Sequence, residues 1–194
     1  MEEIAPGVMH WQARHPNLGV DVSSYWLPEL RTLLDPLAVP DDVEGVQHIL
    51  LSCRHHVRDS LVVRTRFGAV VRAPRTGMHE FPEDTPIVPY DFGESLAGGA
   101  VTAYEVDAIS PDETAFQIPA VHALAIADGA VRYGGDLQFV PDDLMDDPEE
   151  TKAGLKRAFA HLADELDFDV LLVAHGDPIP SGGRDALRRF AASS

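Results

Sequence analysis

The sequence predicts an α/β protein whose strands form one mixed sheet or two sheets. Residues 48–73 consist of an apolar strand, a short helix and a second strand, which is the order of a parallel βαβ unit. Residues 99–133 contain several short strands separated by turn signals, and this favours antiparallel pairing. A helix within residues 141–166 has one apolar stripe, and a buried strand follows it at 170–174.

Length and composition limit the classes of protein that fit. The 194 residues, 45% of them hydrophobic, predict a single domain spanning residues 1–194 with a substantial core. The net charge of −17 disfavours nucleic acid and anionic membranes as partners. The one cysteine excludes an internal disulfide, and we expect a cytoplasmic protein because neither a signal peptide nor a spanning segment is recognisable. The oligomeric state stays open.

In the first half of the chain, the pattern predicts a hairpin followed by the βαβ unit. The hairpin strands lie at 20–27 and 31–35, because Pro28 ends the first of them. Ser60 is expected to cap the helix of the βαβ unit. The segment before residue 20 is predicted to be irregular.

In the second half, one long loop separates the βαβ unit from the antiparallel strands. Residues 74–93 are rich in proline and glycine, which predicts a loop without regular structure that covers the pocket. Asp128-Gly129 is a hairpin turn signal between two strands, the second of them at 130–133. A short helix is expected at 185–191.

Side chains that bind metal ions follow three of the apolar strands, and a fourth strand ends at Asp35. Because the carboxyl ends of parallel strands meet at one edge of a sheet, we expect these groups to converge there. Imidazole and carboxylate ligands suit Zn²⁺, Fe²⁺ or Mn²⁺, and such an ion makes hydroxide available for hydrolysis. Taken singly, each residue could also be an ordinary turn or solvated residue. The candidates are Cys53, His55, His56, Asp59, Asp136 and His175.

The same stretches resemble the metallo-β-lactamase superfamily. The resemblance implies an αββα sandwich, in which two mixed sheets lie face to face with helices outside and metals at one edge. It further implies that Asp136 matches the aspartate that bridges two metals and that His175 matches the last histidine ligand. The stretches that carry the resemblance are 33–35, 49–52, 123–129, 132–136 and 170–178.

The chain departs from the family's His-x-His-x-Asp-His motif, which follows the strand directly. Aligned without a gap, Cys53 and His55 take the two first histidine places, while Val57 and Arg58 replace the aspartate and the next histidine. If Asp59 is aligned with the aspartate instead, His55 keeps the first place and two histidines are lost. Either alignment retains two of the four ligands, so we expect one ion at most, or none.

Two functions follow from these observations. The first is a mononuclear hydrolase of an ester, thioester or phosphoester, in which Asp59 would act as the catalytic residue on the attacking water. The second is a non-catalytic member of the family that has lost its metals and binds a ligand or a protein in the cleft. The metal ligands of the first hypothesis are His55, His56, Asp59, Asp136 and His175.

The basic residues near the His-His pair favour the second function, because Arg54 and Arg58 would repel a cation or take its place. A cysteine hydrolase that uses Cys53 with His55 or His175 is a third reading of the same residues. The partner in every case is a small molecule or another protein, and its identity stays open.

Overall fold

A computed structural model describes residues 1–193, and within them the chain forms two β-sheets and three α-helices. The strands of the seven-stranded sheet are adjacent in chain order. They are β1 (Glu2–Ala5), β2 (Val8–Arg14), β3 (Asp21–Leu27), β4 (Thr32–Leu34), β5 (His48–Leu50), β6 (Val70–Pro74) and β7 (Ile87–Tyr90).

The second sheet has five strands in the order β12-β11-β10-β9-β8. They are β8 (Ser95–Leu96), β9 (Val101–Glu105), β10 (Thr114–Ile118), β11 (Ala123–Ile126) and β12 (Val170–Val173). The α-helices are α1 (Ser60–Phe67), α2 (Pro148–Glu165) and α3 (Gly183–Ala191). Short 3₁₀ helices lie at Pro28–Leu30, Arg54–His56, Arg75–Glu80, Ala97–Gly99, Pro119–Val121 and Asp142–Leu144.

The two sheets pack face to face, and the helices cover their outer faces. Apolar side chains from both sheets form the cluster between them, including Leu50 from β5 and Phe116 from β10. Val63 of α1 packs against the outer face of the seven-stranded sheet, whereas Phe159 of α2 and Leu187 of α3 pack against the five-stranded sheet. The predicted αββα sandwich is confirmed. In the part of the chain described, no helix has the length and apolar character needed to cross a bilayer.

Most elements of the first half agree with the sequence patterns. β3 and β4 form the predicted antiparallel hairpin, and β5, α1 and β6 form a parallel βαβ unit. Asp59, and not Ser60, is the N-cap residue of α1. The N-terminal segment is not irregular as predicted, because β2 pairs with β3 over nearly its whole length.

Two predicted features of the remaining chain are wrong. Residues 74–93 are not a structureless loop, because β7 adds to the sheet beside β6 and Tyr90 packs in the core with its hydroxyl donating to the carbonyl of Leu51 at 2.8 Å. Asp128-Gly129 is not a hairpin turn either. The segment after it forms only isolated bridges, and β11 pairs with β12 in parallel.

Candidate metal centre

The parallel register of β11 and β12 places two potential ligands side by side. Ile126 is opposite Val173, so the residues two positions further along the chain, Asp128 and His175, leave the sheet at the same edge. His175 Nε2 lies 2.8 Å from Asp128 Oδ1. Two neighbouring parallel strands, β11 and β12, are thus followed by a carboxylate and an imidazole that are in contact.

The other sheet contributes its ligands through the 3₁₀ turn that follows β5. A 3₁₀ helix has three residues per turn, so residues three apart lie on the same side of it. Cys53 is the N-cap residue of this turn and His56 is its last residue, and both face inwards with exposed fractions of 2% and 3%. His55, which lies between them on the outer side, is exposed.

Four donor atoms meet where the two sheets approach. His56 Nε2 lies 3.1 Å from Asp128 Oδ1, and Cys53 Sγ lies 3.7 Å from Asp128 Oδ2. The rings of His56 and His175 have their centroids 5.5 Å apart. We call Cys53, His56, Asp128 and His175 the donor cluster.

Three members of the donor cluster fit a single tetrahedral ion and leave its fourth position open. Among the residues that the structure describes, Cys53, His56 and Asp128 are the one group of three whose ligand atoms all lie within 4.8 Å of one another. Nitrogen and oxygen ligands of one tetrahedral zinc ion lie about 3.3 Å apart, which is close to the 3.1 Å between His56 and Asp128. Thiolate, imidazole and carboxylate are each zinc ligands in proteins.

Asp35 orients His56 by binding the ring nitrogen that faces away from Asp128. His56 Nδ1 lies 3.1 Å from Asp35 Oδ2, and the same carboxylate accepts hydrogen bonds from the backbone N–H of Ser52 at 2.8 Å and from its hydroxyl at 2.5 Å. A carboxylate that binds one ring nitrogen leaves the other nitrogen free to bind a metal, and such supporting contacts are typical of metal-bound histidines.

The charges in the donor cluster depend strongly on one another. Burial by itself disfavours the imidazolium, but the Cys53 sulfur and the carboxylates of Asp128 and Asp35 raise the pKa of His56 well above its ordinary value. Burial also opposes ionisation of Asp128, yet His56 and His175 bring the pKa of this carboxyl well below its usual range. A cation between these carboxylates is therefore favoured, and either a protonated His56 or a metal ion can supply it.

Arg58 adds a second fixed positive charge. Its guanidinium donates to the carbonyls of Ser23 at 2.8 Å and Asp35 at 2.7 Å. Its backbone has a φ of 41°, a left-handed conformation that is uncommon for residues other than glycine. The side chain is thus tied to the backbone next to the donor cluster, and it disfavours a second divalent ion there.

Glu113 lies against the loop that carries Asp128. Its Oε1 accepts a hydrogen bond from the N–H of Gly129 at 2.5 Å, whereas its buried Oε2 has no partner among the described residues. Burial, with the nearby charge of Asp128, raises the pKa of Glu113 to about 8. This carboxyl is therefore largely protonated at neutral pH.

Of the residues predicted as ligands, the structure brings His56 and His175 together. His55 lies outside the donor cluster, although it lines the adjacent cavity. The side chain of Asp59 points away, because its Oδ2 accepts a hydrogen bond from the N–H of Ala38 at 2.7 Å. Asp136 lies in a different cavity, since the segment before it is a loop and not a strand that ends at the site. Three of the five predicted ligands, His55, Asp59 and Asp136, therefore lie outside the donor cluster.

Sequence reasoning missed Asp128 as a member of the site. Its Asp-Gly dipeptide favours a hairpin turn, and the partner strand β12 lies far along the chain. One signal could have found it. Two apolar runs, 123–127 and 170–174, are equally long and each is followed directly by a ligand residue, as expected for neighbouring parallel strands.

The comparisons with known proteins agree with this architecture. The sequence matches no protein-family model and no protein of curated function. Many solved structures share the fold, and in each of the three described below the match covers 98% of this chain. A metallo-β-lactamase family protein from Thermus thermophilus has 17% identity and a TM-score of 0.67, with 80% of that chain covered.

Two further structures match over most of their own length. One is the DIM-1 metallo-β-lactamase, with 11% identity, a TM-score of 0.72 and 95% of that chain covered. The other is a metallo-β-lactamase from Hirschia baltica, with 14% identity, a TM-score of 0.71 and 95% of that chain covered. At such identities the likeness concerns the backbone and not the activity. The chain therefore has the metallo-β-lactamase fold.

Proposed function

We propose that this protein is a hydrolase that uses one divalent metal ion, held by Cys53, His56 and Asp128, with the fourth position open to water and His175 next to Asp128. The observation that carries the proposal is the convergence of these donors from two sheets, with Asp35 bound to the far nitrogen of His56. A set of sulfur, nitrogen and oxygen donors favours Zn²⁺ over Fe²⁺ or Mn²⁺. A free thiol as ligand suits a reducing compartment such as the cytoplasm.

When bound, such an ion lowers the pKa of a coordinated water and so supplies a nucleophile at neutral pH. The residues of this chain would hold and orient the reactants. The side chains of Asp128 and His175 are 25% and 12% exposed, and both line a cavity in which a substrate can reach them. His55 lines the same cavity, where its imidazole N–H could donate a hydrogen bond to a leaving group.

Metal content tests the proposal directly. Protein expressed with added zinc and then freed of loosely bound metal should retain about one ion per chain. The Asp128→Asn and His56→Ala variants should lose it. His79→Ala is the matched control, because His79 is an exposed histidine outside the donor cluster. If the parent protein holds no metal, or if His79→Ala loses as much as His56→Ala, the proposal is wrong.

One observation favours a second candidate, a non-catalytic protein that binds its ligand without metal. His56 lies between the carboxylates of Asp35 and Asp128, which raise its pKa well above the ordinary value, so an imidazolium there, together with Arg58, would balance both carboxylates without a metal. The melting temperature discriminates the two functions. A metal-dependent protein is less stable after chelation and regains its stability with zinc, because an ion that binds the native state stabilises it. An unchanged melting curve would support the second candidate.

A further inference from the structure

A cavity opens beside Asp128 and His175, and most of its wall is apolar. Its volume is about 710 Å³, which is within the usual range for a small-molecule site. The aliphatic side chains in the wall come from four separate segments of the chain. They are Leu18, Val20, Ile109, Val131, Val140 and Leu144.

Large exposed apolar side chains are concentrated at this cavity. Seven such side chains occur in the part of the chain described, and three of them, Leu18, Tyr133 and Leu144, line it with exposed fractions of 62%, 52% and 66%. Apolar groups that gather around one opening are typical of a binding site, whereas scattered ones need no explanation. An apolar ligand would remove these side chains from water.

No arginine or lysine side chain in the cavity wall is free to bind an anionic substrate. Arg54 is the one arginine or lysine in its wall, and the guanidinium is paired with the fully buried carboxylate of Asp112 and donates to Ser110 Oγ at 3.0 Å. Asp146 adds a negative charge to the wall, and the whole chain carries −17. In the metal-free protein, a phosphate or carboxylate group against this wall would therefore meet negative charge and no free arginine or lysine.

We infer that the substrate is an uncharged carboxylic ester whose apolar acyl group lies against Leu18, Tyr133 and Leu144, with its carbonyl towards Asp128 and His175. This inference rests on the proposed function. Hydrolysis adds water across the acyl C–O bond, which breaks and releases a carboxylic acid and an alcohol. Phosphoesters, which the sequence alone left open, are disfavoured by the same wall.

Ligand binding to the metal-free protein tests the inference without any catalysis. N-phenyl-1-naphthylamine, an uncharged apolar fluorophore, should bind, and 2-octanone should displace it at a concentration at least about tenfold lower than octanoate or octyl phosphate. The Leu144→Ser variant should weaken probe binding at least about fivefold. Val62→Ser is the matched control, because Val62 is 70% exposed and lies outside the cavity. Equal competition by the anions, or unchanged binding to Leu144→Ser, would overturn the inference.

Turnover by zinc-loaded protein separates this inference from the proposed function. The kcat/KM for p-nitrophenyl hexanoate should exceed that for the acetate at least about tenfold, since each fully buried methylene can contribute about fourfold. p-Nitrophenyl phosphate should not react. Hydrolysis that does not depend on acyl length would contradict the inference and leave the proposed function intact. Selective binding of 2-octanone with no ester hydrolysed would contradict the proposed function but support the apolar ligand class.

Discussion

His56 Nδ1 lies 3.1 Å from Asp35 Oδ2, and this buried contact turns the other ring nitrogen towards Asp128. Asp35 comes from the end of β4, so the hairpin that precedes the site helps to orient it. The carboxylate does not belong to the donor cluster, yet it determines which nitrogen of His56 can bind an ion.

Removing this carboxylate should weaken metal binding. The Asp35→Asn variant is expected to bind zinc about 10- to 100-fold more weakly, because the orientation and basicity of His56 both depend on Asp35. Competition with a chromophoric chelator measures the affinity of the folded variant. Asp136→Asn serves as the control, since Asp136 lines the other cavity. If Asp136→Asn loses zinc affinity and Asp35→Asn does not, Asp136 is a zinc ligand, as the sequence predicted, and the contact between Asp35 and His56 does not support metal binding.

The thiol of Cys53 should be unreactive in the metal-free protein. Burial raises its pKa to about 12, and the side chain is 2% exposed. Its thiolate fraction at pH 8 is then on the order of a thousandfold below that of an ordinary cysteine. Iodoacetamide should alkylate the native protein far more slowly than the protein in denaturant. Fast alkylation of the native protein would instead favour the cysteine hydrolase.

Glu113 should make the metal-free protein less stable as the pH rises. Its pKa is about 8 in the folded state against an ordinary value of 4.5, so between these values the unfolded chain releases a proton that the folded chain keeps. The free energy of unfolding therefore falls across this range. Glu113→Gln, which can still accept the hydrogen bond from Gly129, should be about 2–4 kcal/mol more stable than the parent at pH 8.

The difference between Glu113→Gln and the parent should vanish near pH 4.5, where the carboxyl is protonated in the folded state and half-protonated in the unfolded chain. Urea unfolding of the chelated proteins between pH 4.5 and pH 8 measures it. Parallel stability curves over that range would show that Glu113 has no raised pKa.

A glycine should be required at position 176 for the stability of the fold, because the backbone directly after His175 passes close to Arg132. The φ of Gly176 is 90°, and a Cβ atom there would lie 1.9 Å from the carbonyl oxygen of Arg132. Gly176→Ala should therefore be less stable than Gly134→Ala by at least about 2 kcal/mol. Gly134 is the matched control, because it also has a positive φ but nothing lies near its missing Cβ. Equal melting temperatures of the two variants would contradict the close approach.

The first hairpin and the βαβ unit were predictable because apolar runs mark their strands and Pro28 and Gly68 mark their turns, whereas the two-sheet sandwich was expected from the family resemblance. The site was predictable only in part. His175 follows a strand directly, and its proximity to the histidine pair could be inferred from strand order alone. Which of His55 and His56 faces inwards depends on the 3₁₀ turn after Cys53, and no periodicity in the sequence reveals that turn.

Asp128 and Asp136 show a second limit. Local turn chemistry favours a hairpin at Asp128-Gly129, but pairing of β11 with the distant β12 overrides that preference. The strand expected before Asp136 does not form, so its carboxylate lies away from the edge where the ligands meet. In both cases, the position of the carboxylate depends on which distant strands pair, and the local sequence does not show this.

X-ray absorption at the zinc edge of the zinc-loaded protein identifies the atoms bound to the ion. We expect one sulfur neighbour at about 2.3 Å with nitrogen and oxygen neighbours at about 2.0 Å, and loss of the sulfur signal in Cys53→Ser. Zinc that is bound without a sulfur neighbour, or no bound zinc at all, would contradict the ligand set of Cys53, His56 and Asp128.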